Sequence, residues 1–245
     1  MKLSHPFIAF LLVLLVLCRF SIVYAQSEKP ASTLSVTATH DAAFGFYPIA
    51  AGSFGLKPNL SLTFYGIFWT NPSFANAGAG TDWFLETGAG VSFTVAEGLL
   101  LNPSVGFTHG KLLSGGQQGV IADGMVPNLA AFYNKGRFES EFYGAYYKSL
   151  RKEGPITTDY FLGWLYAGAV LYKHVSAGVH YEQFRITRIT DGNAKSLYHW
   201  LGAYVKFTLE KGYFFRFSAG KNFTDTQSGG YSAEFYRLGL FLPLL

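Results

Sequence analysis

Cysteine is nearly missing from this 245-residue chain: the single copy, Cys18, lies in an apolar run close to the N-terminus. A chain that sheds this run on export keeps no thiol, which excludes disulfides and cysteine chemistry. Charge is scarce as well. Only 14% of the residues are charged, whereas a soluble domain presents a surface of roughly 25–35% charged residues. Long apolar stretches are also absent, since nothing after the N-terminal run reaches the about 18 uninterrupted apolar residues of a membrane-spanning helix. Neither a soluble surface nor a helical anchor fits such a chain.

Sites of chemistry are equally thin. His40, His109, His174, His180 and His199 fall in no metal-ligand or HExxH-type spacing. There is no Gly-rich phosphate loop, no glycosidase-type carboxylate pair and no nucleic-acid module. An outer-membrane lipase would need a serine and a histidine together on its lipid face near the outer rim. His109 is the histidine placed there by its neighbour Phe107, and no outward serine stands beside it. The expectation is no enzyme, no metal, no cofactor and no nucleic-acid partner.

What the chain does have begins with Lys2, an apolar core from Phe7 to Leu17 and the small-residue site Val23-Tyr24-Ala25. This pattern predicts a cleaved signal peptide over residues 1–25, followed by a disordered lead-in over 26–32. Leu17, bulky where a small residue is needed, argues against lipidation of Cys18. Loss of Lys2 and Arg19 lowers the formal charge from +4 to about +2, which carries no message about nucleic acid.

From Trp83 to Thr108 two alternating segments flank the turn Ala96-Glu97-Gly98. Leu85, Ala89, Val91, Phe93 and Val95 share one face; Glu86, Gly88, Gly90, Ser92 and Thr94 share the other, which is the period-2 signature of a strand between two unlike environments. The second arm does likewise, with Leu99, Leu101, Val105 and Phe107 against Asn102, Ser104, Gly106 and Thr108. An apolar face toward lipid and a small polar face toward a lumen explain both compositions. In a bilayer that arrangement requires a closed barrel, because no water is present to satisfy an open sheet edge.

The same unit recurs. Tight turns at Lys57-Pro58-Asn59, Ala96-Glu97-Gly98, Asn134-Lys135-Gly136, Lys173-His174 and Glu210-Lys211-Gly212 lie about 38 residues apart. Longer polar connections alternate with them at Asn71 to Thr81, Leu112 to Gly124, Arg151 to Thr157, Ile189 to Ser196 and Asp225 to Gly230. Short turns at one end and long loops at the other are the build of outer-membrane barrels. Adding a leading strand Thr33 to Asp41 and a closing strand Tyr231 to Leu242 predicts an all-β, transmembrane antiparallel up-and-down barrel over residues 33–245. It should have twelve strands, with both termini on the periplasmic side; ten strands and a lumenal N-terminal segment is the other count. The first turn, Asp41 to Pro48, lacks a clear Gly or Asn signal. Pro103 and Pro127 fall inside strands five and six, where a bulge or the barrel rim would accommodate them.

Aromatics collect at the strand ends: Trp69, Trp83, Tyr160, Tyr198, Trp200 and Tyr231 toward the long loops, Tyr133, Tyr172 and Tyr213 toward the short turns. Their placement predicts two interfacial girdles.

Two segments, TATHDAAFGF from Thr37 to Phe46 and FYGIFWTN from Phe64 to Asn71, resemble the opening strands of TorF-type porins. That resemblance implies an outer-membrane barrel named a porin by its shape, with no catalytic residues to carry over.

Projecting the alternation inward gives Glu86, Glu139, Glu141, His180, Glu182, Lys206, Arg216 and Arg237, with Tyr65, Tyr143, Tyr147 and Tyr204 beside them. Mixed signs argue against strong ion selectivity. The reading is an exported, monomeric or small-oligomeric porin-like channel of the bacterial outer membrane, in contact with membrane lipids and passing small polar solutes. A closed barrel acting through its loops, with these charges paired across the interior, is the alternative, and a lipid-modifying enzyme is the third.

Overall fold

The computed structural model describes residues 31–70, 84–224 and 231–245. The expected leader, most of the lead-in, Trp83 and the connections over 71–81 and 225–230 lie outside the described residues. Strands run as β1 (Thr33–Asp41), β2 (Gly45–Lys57), β3 (Leu60–Trp69), β4 (Phe84–Ala96), β5 (Leu99–Gly110) and β6 (Val120–Lys135). They continue as β7 (Phe138–Ser149), β8 (Thr158–Tyr172), β9 (Val175–Ile189), β10 (Lys195–Thr208), β11 (Phe214–Asn222) and β12 (Glu234–Pro243). Each strand pairs antiparallel with its neighbours, and β1 pairs with β12 from Ser35↔Pro243 to Asp41↔Arg237. The result is a closed twelve-stranded barrel with no free edge, so every strand finds its backbone partners within the sheet.

The period-2 pattern decides facing. On β4, Leu85 and Val91 are exposed on the outer wall while Phe84 and Glu86 are buried inside. The start of β1 and the end of β12 lie at the end carrying the short turns. Gly98 and Gly136 take positive φ in those turns, at 78° and 63°, which glycine adopts without a Cβ penalty.

Several elements differ from expectation in detail. Strand β6 starts at Val120, within the loop expected over 112–124, because Asp123 accepts the backbone N–H groups of Leu113 and Ser114 at 2.8 and 2.9 Å and draws that loop against the barrel mouth. Neither proline makes a bulge. The β4–β5 pairing passes from Gly90↔Ser104 to Phe93↔Leu101 without a shift, leaving a gap opposite Pro103, and β6–β7 passes from Met125↔Lys148 to Asn128↔Ala145 across Pro127. A missing N–H interrupts the ladder while the register is retained.

The first turn does carry signals, Asp41 and, at its end, Gly45 with φ 64°. Asp41 Oδ1 accepts from the N–H groups of Ala43 and Phe44 at 2.9 and 2.6 Å, an Asx-type turn built by the aspartate side chain. Because β1 stops after 9 residues where β6 runs for 16, the wall is low here and the turn folds into the lumen. Ala43 and Phe44 are almost wholly buried.

Candidate functional site

The outer half of the lumen is filled. Every strand contributes at least one buried inward residue, from Thr39 and Asp41 on β1 to Phe235 and Arg237 on β12. Phe44 stands at the middle of this block. Its ring lies 4.9 Å from Trp69, 5.5 Å from Phe184, 6.0 Å from Tyr47 and 6.3 Å from Tyr198, so one turn residue touches rings from four strands. Trp69 stacks on Phe84, Tyr198 on Trp200 and Trp200 on Phe235, which carries the aromatic layer around the barrel. Leu113, fully buried, closes over it from the β5–β6 loop.

This arrangement corrects the expected outer girdle. Trp69, Tyr198, Trp200 and Tyr231 are buried inward, not set at the lipid interface, and Tyr160 stacks on the lumenal Phe184. Strand-end position is shared by lipid-facing and lumen-facing residues, and only parity separates them. At the short-turn end Tyr133 and Tyr172 are exposed.

Polar groups lie among and beneath these rings. All twelve sequence-derived lumen residues project inward. Glu182 is fully buried and receives Arg237 Nη1 at 2.5 Å and the Tyr198 hydroxyl at 2.7 Å, with His180 Nε2 at 3.2 Å. Asp41 pairs with Arg237 in register and accepts the Tyr47 hydroxyl at 2.9 Å, so the turn carrying Phe44 is moored to this cluster. Glu141 accepts Arg216 at 2.8 Å and the Trp164 indole N–H at 3.2 Å; the Arg216 guanidinium lies 3.7 Å from the Tyr166 ring centroid. Nearer the mouth at the short-turn end, Lys206 and the Tyr204 hydroxyl both reach Glu139.

Glu86 differs from Glu139, Glu141 and Glu182, which each pair with a cation. It is fully buried with only neutral donors: the Tyr65 hydroxyl at 2.9 Å, the Tyr147 hydroxyl at 3.0 Å and the Trp69 indole at 3.4 Å. Tyr143 stacks on Trp164 at 4.1 Å. Sequence reasoning missed Asp41, Phe44, Tyr47, Trp164 and Tyr166 as members of the cluster. The aspartate ahead of the first turn was the available signal for the first three.

Below this level the wall becomes lopsided. The inward residues Ser35 and Thr37 on β1, Ser53 on β2, Ser61 and Thr63 on β3, Ser92 on β4 and Asn102 on β5 are all short and polar. Facing them, β7 and β10 to β12 present Glu139, Lys206, Phe214 and Phe241. His109 faces outward and bonds Thr87 Oγ1 at 3.0 Å, with no serine at hydrogen-bond distance among the described residues.

Comparison with known proteins assigns the chain to a family. The model of a family of unknown function, DUF6733, matches residues 1–244. The chain belongs to this DUF6733 family. No curated protein matches the DUF6733 chain, and the family match specifies no TorF-type relationship. Among solved structures it is similar to the COG4313 outer membrane channel from Pseudomonas putida F1, with TM-score 0.58 and 12% identity over 90% of this chain and 98% of that one. It is also similar to the KdgM porin, with TM-score 0.49 and 10% identity over 84% and 97%. The DUF6733 barrel thus shares the fold of an outer-membrane channel.

Proposed function

We propose that this chain is a porin-like channel of the outer membrane for small polar solutes, exported by a cleaved leader, whose resting state is closed by the Asp41–Gly45 turn. The observation that carries the reading is the division of the lumen. A barrel filled only for stability needs large side chains throughout its interior, yet β1 to β5 line the short-turn half mainly with serine, threonine, glycine, alanine and asparagine, Leu100 being the exception. Such a wall leaves a hydrated vestibule that leads up to a seal.

The turn is the movable part of the seal: Phe44 packs against wall rings from four strands, so displacing the turn loosens the block without unpairing a strand. Along that path Glu139, Glu141 and Glu182 each face one cation, Lys206, Arg216 and Arg237. Charge cancels within each of these three pairs, and mixed signs along the path support weak selectivity.

The buried block itself favours a second reading, a barrel that never conducts. Liposome swelling with sugars of graded size separates the two: a channel admits the smaller sugars when the turn is shortened by deleting Ala43 and Phe44, whereas a non-conducting barrel admits none.

A further inference from the structure

The lipid-facing wall is apolar along most of its height, as on β12, where Tyr236, Leu238, Leu240 and Leu242 point outward. Strand β9 breaks that rule toward its outer end. Its outward residues there are Tyr181, Gln183, Arg185 and Thr187, and Arg185 is exposed. The register sets Ser196 beside Arg185, His199 beside Gln183 and Leu201 beside Tyr181, while Lys221 on β11 lies beside Leu201. Three adjacent strands therefore share one polar patch on a face that elsewhere meets hydrocarbon.

Set into the patch is a groove of about 270 Å³ lined by Tyr181, His199, Trp200, Leu201 and Phe223. The Phe223 N–H donates to the His199 carbonyl at 2.8 Å, which fixes that rim of the groove, and His199 Nε2 lies 3.3 Å from Ser196 Oγ. Glu234 stands opposite Lys221 in register, yet among the described residues neither Arg185 nor Lys221 makes an ion pair. A cation costs roughly 2–4 kcal/mol at the bilayer midplane and about 0–1 near the interface, so these two belong at headgroup level. A lysine set lower on the wall reaches that level by extending its stem along apolar surface.

We propose that this groove binds a phosphate-bearing lipid of the outer leaflet. An acyl chain lies against Tyr181, Leu201 and Phe223, and the phosphate sits near His199, between Arg185 from above and Lys221 from below. Two unpaired cations flanking an apolar slot complement a molecule that joins an anion to a hydrocarbon chain. Neither a neutral lipid nor free phosphate offers both halves. The inference concerns the outer wall and is independent of whether the lumen conducts.

Native mass spectrometry of the full chain, released from detergent with added dioleoyl phosphatidic acid or dioleoylglycerol, tests it, because the two probes differ only in the phosphate. The wild type is expected to retain one phosphatidic acid about tenfold or more over the glycerol lipid. The paired change Arg185→Gln with Lys221→Gln should abolish that preference, Arg185→Lys should keep it, and Lys57→Gln at the periplasmic turns should leave it unchanged. Heat-modified gel migration verifies that each variant is folded. Equal retention of the two lipids by the wild type, an unchanged preference in the paired variant, or a lipid-free dimer that the paired variant loses would each overturn the proposal.

Discussion

The ring of Tyr65 lies where a Cβ on Gly88 would have to be. The two residues face each other across β3 and β4, and Gly106 continues the row on β5, so the tyrosine lies flat along the wall and accepts Asn128 Nδ2 on β6 at 2.8 Å. Tyr204 repeats the device, crossing Gly178 and Gly168 to reach Glu139 at 2.8 Å. Both rings lie against the lumen wall, an arrangement that uses glycine for close approach of a side chain.

Gly88→Ala is therefore expected to lift the Tyr65 ring and break its bond to the buried Glu86, at a cost of about 1–3 kcal/mol. Adding Tyr65→Ala should give a double variant less unstable than the two single losses summed, since the clash is gone. Urea titrations of protein folded in vesicles measure this. Strict additivity would show that the ring and the glycine do not interact.

Facing is tested on one strand. Val91→Arg places a charge on the lipid wall and should cost roughly 2–4 kcal/mol, whereas Ser92→Arg, one residue on, points into the vestibule and should cost less. Refolding yields and unfolding midpoints in vesicles compare the pair, and equal losses would mean the parity is misassigned.

The Arg237–Glu182 contact, buried at both ends, should behave differently from the more open Lys206–Glu139 contact. Arg237→Gln strands Glu182 without its cation and is expected to destabilise by about 3–5 kcal/mol. Lys206→Gln should cost less, because Glu139 lies close to the mouth at the short-turn end and is less buried. The unfolding midpoints of the two variants give the comparison, and an equal or reversed order would mean that the inner cluster does not moor the turn.

Much of the barrel was legible because the hairpins repeat one pattern: apolar at Leu85, Val91 and Phe93, small or polar at Gly88, Gly90 and Ser92, then a short turn, which carries glycine or asparagine in every case but Lys173-His174. Parity alone also assigned Glu86, His180 and Arg237 to the interior. The seal was not legible. Asp41 builds its turn with a side chain and Gly45 closes it at positive φ, but Phe44 enters the lumen because β1 is shorter than its neighbours, a property of the register. Trp69 and Trp200 illustrate the limit further, since an aromatic at a strand end fits a girdle and a plug equally well until the two faces are resolved.

Charge along the path is tested by Arg216→Glu, which replaces the cation facing Glu141 by a further carboxylate. In a conducting form, salt gradients across a planar bilayer should show the reversal potential move toward cation preference, most clearly when the channel is narrower than the Debye length of about 8 Å. An unchanged reversal potential would place Arg216 off the conduction path.

The most direct measurement is the conductance of the wild type beside Phe44→Gly in the same planar bilayer. With the turn intact, the wild type should be closed for most of the record and open only briefly. Removing the ring that joins Trp69, Tyr47, Phe184 and Tyr198 should yield sustained steps at the same voltage. If both proteins insert as folded barrels and neither passes current, the lumen is a filled core and the account of a sealed channel is wrong.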